Sequence, residues 1–229
     1  MVHNSKVVLM KLLDGVSKED IIKCIVRIVE MLKDDRTRYR IYIDIILFDT
    51  LNQLFGGKSG AGNLIFEVYE NLEPYLNGSL HYWLQRAKSI YRLNANDILR
   101  LKEAYSYSIK AYFDGGHAIR SKAALTSSLI SCLISDLETD EGERQYYLEQ
   151  AIELAHEAIY SDYYRFNKTY LNNELKPRKR LNSYELIKNV CNEYIDFYFN
   201  PEILGKAKKL ISKLEEMEET FIKKRIRMN

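Results

Sequence analysis

Gly57, Lys58 and Ser59 are the first residues whose spacing suggests chemistry, because a phosphate-cradling loop ends in glycine, a lysine that reaches the phosphates and a hydroxyl for a divalent cation. The same motif needs an upstream glycine where this chain has Asn52, and a strand where it has an apolar, helix-like run, so a surface loop is the expectation. His156-Glu157 opens like a helical zinc-protease motif, yet Tyr160 stands where the second histidine ligand belongs. Asp136, Glu138 and Asp140 have the spacing of a calcium loop, but its glycine comes one place late at Gly142 and Tyr147 replaces the closing carboxylate. Asp140 with Glu143 reads better as a helix N-terminal cap. His3, His81, His117 and His156 do not pair at metal-ligand spacing, and no serine sits in a nucleophile elbow. Cys24, Cys132 and Cys191 are scattered over what read as apolar helix faces, a pattern of buried small hydrophobes in a reducing compartment. No catalytic centre, metal site or cofactor is expected.

Tyrosine is the remaining candidate. The chain holds 18, and Tyr105, Tyr107, Tyr112, Tyr146, Tyr147, Tyr160, Tyr163 and Tyr164 concentrate in its middle. An amphipathic ring suits recognition surfaces and also fills gaps between helices. Tyr105, Tyr107, Tyr112, Tyr163, Tyr164 and the adjoining Arg165 are the candidate partner-binding residues. The basic runs Lys176 to Arg180 and Lys223 to Arg227 read as a solvated linker and a solvated helix end. With a net charge of only +2, nucleic acid is not the expected partner.

Those residues must be held by helices. A chain of 229 residues with 10 Gly and 3 Pro has few breakers, and 46% hydrophobic with 29% charged residues is ordinary for a folded protein. No apolar run approaches the length of a membrane span and no export signal is visible, so a soluble, cytoplasmic protein is expected. Ser17 opens a helix with a capping-box-like pattern, and Ile21 to Leu32 recur at helical steps. The stretch from Tyr39 alternates like a strand, but its apolar run continues to Phe55 and favours helix. After the glycine-dense loop 56–62, a short helix ends near Pro74, and a second runs from about Leu80 to Leu93 with Trp83, Leu84, Ala87, Ile90 and Tyr91 on one face. Helices are then expected over about 97–113, 122–135, 143–160 and 184–199. A last one is capped by Asn200 and Pro201, with Ala207, Leu210, Leu214, Met217 and Phe221 in its seam. Ala104, Ser108 and Ala111 share their spacing with Ala151, Ala155 and Ala158, and such small-residue stripes let a neighbouring helix come close.

Trp83-Leu84 through Tyr91, Ala104 to Ala111 and Ala151 to Ala158 resemble degenerate tetratricopeptide repeats. The glycine usual after the Trp-Leu pair is missing, the unit is longer and the closing proline is absent. The likeness implies an all-α fold in which antiparallel helix pairs stack as a TPR-like α-solenoid. It implies an N-terminal helical region at 1–62, repeats at 63–175 and capping helices at 176–229. Val68-Tyr69-Glu70-Asn71-Leu72 leading into Tyr82-Trp83-Leu84-Gln85, with the helical tail from Tyr184, is similar to the C-terminal helical sensor region of bacterial anti-phage defence NTPases and sirtuin-like proteins. That similarity implies recognition or assembly. The expected function is a non-enzymatic protein- or peptide-binding module, with self-association into a homo-oligomer as the alternative and an enzyme built from scattered polar residues as the third reading.

Overall fold

The computed structural model describes residues 69–74, 76, 78–162, 164, 168, 171–172, 175 and 182–226, together with 16–17, 20, 23–24, 27 and 31 near the N-terminus. All regular structure among the described residues is helical. The chain divides into two compact units, 1–93 and 94–229. The strand-like stretch from Tyr39, the loop with Gly57 to Ser59 and the basic run 176–180 lie outside the described residues.

In the first unit, the Ser17 hydroxyl accepts from the amide of Asp20 at 3.3 Å, as a helix cap should. Cys24, expected on an apolar face, is instead exposed. Its immediate helical neighbours Asp20, Lys23 and Arg27 are exposed too, so the cysteine shares their polar side. Helical backbone over 69–74 passes Pro74 and continues at Leu76, before the turn at Gly78 and Ser79 leads into α1, Leu80–Leu93. Tyr69, Leu72, Leu76, Tyr82, Ala87 and Ile90 are buried. Buried phenols still need partners. The Tyr82 hydroxyl donates to the Tyr69 carbonyl at 2.7 Å, Ser89 donates to the Tyr69 hydroxyl at 3.2 Å, and Arg86 reaches both Tyr82 and Glu73.

The second unit contains α2 (Ile98–Asp114), α3 (His117–Leu137), α4 (Glu141–Tyr160), α5 (Ser183–Phe197) and α6 (Pro201–Ile226). Asp97 caps α2 by accepting from the amides of Leu99 and Arg100, and Asp140 caps α4 by accepting from Glu143 at 2.9 Å. The Asn200 side chain accepts from the Glu202 amide at the start of α6. Only Gly115 and Gly116 separate α2 from α3. A Cβ on Gly115 would fall on the Ala111 carbonyl oxygen and crowd Ile119, so the tight corner needs glycine there.

α3 packs against α2, α4 and α5, and α4 also packs against α5 and α6. A helix with neighbours on several sides has little polar surface to show, and α3 buries Ala123, Ala124, Leu129, Ile130 and Leu133 together with serines. Small hydroxyl residues suit this place because each can bond nearby backbone or a partner across a close interface. Ser127 donates to Ser108 at 2.7 Å and Ser128 to the Ala151 carbonyl at 2.7 Å. Both small-residue stripes, Ala104/Ser108/Ala111 and Ala151/Ala155/Ala158, are fully buried. Lys102 pairs with Glu143 while Tyr105 meets Gln150, so α2 and α4 run in the same direction; Glu153 with Lys206 and Tyr160 with Lys209 give α6 that direction as well. No helix among the described residues is long and apolar enough to cross a membrane.

Candidate functional site

A helix turning 100° per residue places Tyr146, Gln150, Glu153, Glu157 and Tyr160 about 150° from the alanine stripe of α4. The alanines are buried, and the opposite stripe forms the floor of an open groove of about 630 Å³. α2 supplies one wall through Tyr105, Ile109, Tyr112 and Phe113, and α6 contributes Lys206 on the other side. Rings dominate the lining and several reach solvent: Phe113 is 69% exposed, Tyr146 47% and Tyr160 45%.

Cross-helix bonds fix the walls. The Tyr105 hydroxyl donates to Gln150 Oε1 at 3.2 Å while its ring meets Tyr147 edge-on at 5.5 Å. Arg120 donates to the Tyr112 hydroxyl at 3.2 Å, lies over the Tyr112 ring and pairs with Glu157 at 3.2 Å. Lys206 holds Glu153 at 3.1 Å and Glu202 at 2.7 Å. Tyr160 donates to the Lys209 carbonyl at 2.9 Å and stacks on His156. Both groove carboxylates therefore have a cation of this chain against them.

Burial raises the pKa of the Tyr105 phenol, with Tyr146 and Tyr147 adding to it. The Tyr112 phenol is raised chiefly by burial, while its bond from Arg120 opposes the shift. His156 is lowered by burial first and then by Lys206 and Lys209, which keeps the imidazole neutral near pH 7. The groove presents apolar ring faces, hydroxyls and an amide, with its formal charges matched.

The candidate residues divide. Tyr105 and Tyr112 line the groove, though Tyr112 is only 8% exposed and acts mainly as wall. Tyr107 does not line it, and its hydroxyl donates to Glu103 at 2.9 Å on its own helix. Tyr164, half-buried, donates to Asn172 at 3.2 Å and is likewise away from the lining. Tyr163 and Arg165 lie outside the described residues. Phe113, Gln150, Glu153 and His156 also line the groove and are not among the candidate binding residues read from the sequence. For Gln150 and Glu153 the signal is present in the sequence, as the stripe of α4 that faces away from its alanines. Tyr160, which breaks the zinc-like motif, stacks on His156 with ring centroids 4.7 Å apart.

The chain matches no family model, no curated protein and no solved structure.

Proposed function

We propose that this chain is a non-enzymatic protein- or peptide-binding module of TPR-like helical-repeat type, working in the cytoplasm, with the α4 groove as its binding surface. The observation that carries the reading is the aromatic lining. Large rings left open to solvent beside a fixed floor are what partner surfaces use as anchors, since a ring gives much contact area for little lost rotamer freedom. Supporting the repeat reading, α3 and α4 form one antiparallel pair and α5 and α6 the next, with α3 against α5 and α4 against α6. The likeness of the Val68 to Gln85 stretch to defence-protein sensors suggests the partner's setting, recognition of an invader or assembly of a defence complex.

The test is capture of partners by the full chain from a native lysate, comparing wild type with a Phe113→Asp/Tyr146→Asp variant and with a control reversing Lys223 and Glu219. The groove variant should lose what the wild type and the control retain. Equal recovery from all three rejects the groove. Self-association is favoured by one observation, the exposure of Phe197 at 70% and Phe199 at 83% beside the α5–α6 turn. Light scattering across a concentration series decides it, since self-association requires a mass above 27.0 kDa.

A further inference from the structure

The two ends of α6 carry opposite charge. The helix starts beside the α3–α4 turn, because the hydroxyl of Tyr198, just before Pro201, donates to Glu141 at the start of α4. Residues 136–143 and 193–202, in and beside these two turns, hold five and three carboxylates and no basic side chain. Lys102 takes up Glu138 and Glu143, Arg144 takes Glu193 and Lys206 takes Glu202. Asp136, Asp140, Glu141 and Asp196 are left without a cation in ion-pair contact among the described residues. Phe197 and Phe199 stand exposed beside them.

At the far end, residues 220–229 hold four basic residues and no carboxylate, and Ile222 and Lys223 are exposed there. The acids just before them do not offset this charge, since Glu215 and Glu216 are matched by Lys188 and Lys213. Lys223 meets Glu219 with both side chains open to water, a contact that a stronger partner displaces at little cost. The dipole of α6 favours cations at this end, but it gives no reason for an exposed isoleucine beside them, or for bare phenylalanines among carboxylates at the other. Each end joins apolar side chains to charge of one sign, and the signs are complementary. Within one copy they cannot meet, because α6 is a single helix of 26 residues that holds them about 39 Å apart at 1.5 Å per residue.

Resting on the self-association reading above, we infer that copies of this chain join head to tail, the basic end of α6 in one copy seating on the acidic turns and phenylalanines of the next. The contact uses two different patches, so a joined pair still presents one unused patch of each kind. Assembly therefore continues until it closes as a ring or extends as a filament. Like ends repel, which disfavours a two-fold dimer through either patch. Attraction between exposed charges is screened by salt, so the assembly weakens as salt rises.

The experiment measures the mass of the full chain by light scattering over a concentration series at about 50 and 500 mM salt. Mass should rise above 27.0 kDa with concentration in low salt and return toward it in high salt. A turn variant, Asp196→Lys/Phe199→Ser, and a tail variant, Lys223→Gln/Lys224→Gln/Arg225→Gln, should each stay at 27.0 kDa with an unchanged circular dichroism spectrum. Mixed in equal amounts they should form a pair of twice that mass and nothing larger, since each supplies the patch the other lacks. Self-association of either variant as in the wild type, a mixture that stays monomeric, or a wild-type mass that ignores salt overturns head-to-tail joining. If the wild type still exceeds 27.0 kDa in that case, self-association survives by another surface. A wild type that stays at 27.0 kDa throughout removes both.

Discussion

Deleting the Ser108 hydroxyl should cost more than deleting the Ser127 hydroxyl, although the two share one hydrogen bond. Ser127 donates to Ser108 at 2.7 Å, Ser108 donates onward to the Tyr105 carbonyl at 3.0 Å, and both residues are fully buried. In Ser127→Ala the Ser108 hydroxyl keeps its acceptor, so the loss is one net hydrogen bond, about 1 kcal/mol. In Ser108→Ala the Ser127 hydroxyl loses its acceptor in a dry interface, which costs about 2 kcal/mol unless it turns back to its own helix. Replacing both removes donor and acceptor together. The double variant should then lie within about 0.5 kcal/mol of Ser127→Ala, far from the sum of the singles. At about 3 °C per kcal/mol for a unit of this size, the expected falls in Tm are about 3, 6 and 3 °C. Far-UV circular dichroism during urea and thermal unfolding measures them, while emission from Trp83, the single tryptophan, reports separately on residues 1–93. Additive losses, or a larger loss from Ser127→Ala, would refute the chain of donation and with it the close approach of α2 to α3.

Three further outcomes follow from the packing and the charges. Ala151→Leu should destabilise by about 1–3 kcal/mol in urea unfolding, because Ser128 already reaches the Ala151 backbone and leaves no room for a larger side chain. His156 has its pKa lowered by burial and then by Lys206 and Lys209, so as pH falls the unfolded chain binds that proton first. Stability should therefore drop below about pH 6.5 and level off once the folded imidazole titrates too; His156→Gln should remove that part of the slope in Tm measured against pH. A thiol-specific reagent followed by mass spectrometry should label exposed Cys24 in the native protein and reach Cys132 and Cys191 only on unfolding, since burial raises both thiols and places Cys191 at about 12.

The helices were legible where a side chain marks their ends. Asp97, Asp140 and Asn200 each cap as their types and positions demand. α4 begins at Glu141, two residues before the expected start, because the amide that Asp140 accepts belongs to the third helical residue. α3 reaches back to His117, five residues earlier than expected, since its N-cap is Gly116, which makes no side-chain bond to announce the start. The small-residue stripes were readable because alanine at helical spacing has one use on a core face. Tyrosine is ambiguous: Tyr69, Tyr82, Tyr184 and Tyr194 are fully buried while Tyr146 and Tyr160 stand open, and residue type alone cannot separate them. Angular position relative to the alanines does, for α4. Cross-helix partners such as Gln150 for Tyr105 and Lys206 for Glu153 lie 45 and 53 residues apart, beyond any local spacing rule.

The same distant partners bear on how tightly the groove can bind. A partner surface assembled from loose side chains must order them on contact, at about 0.5–1.5 kcal/mol for each rotamer-rich chain. Here Tyr105, Glu153, Glu157 and Lys206 are already held by bonds across α2, α4, α6 and the start of α3. Leaving four such side chains fixed beforehand spares a ligand about 2–6 kcal/mol of ordering, or roughly 30-fold to 10⁴-fold in affinity. Cutting a wall bond that no ligand touches should then weaken binding without removing a contact. Arg120→Met is the case to measure: it frees Glu157 and Tyr112 while leaving Phe113 and Gln150 in place, and it should raise the dissociation constant of a groove ligand severalfold. An unchanged constant would mean that the walls do not need their cross-helix bonds.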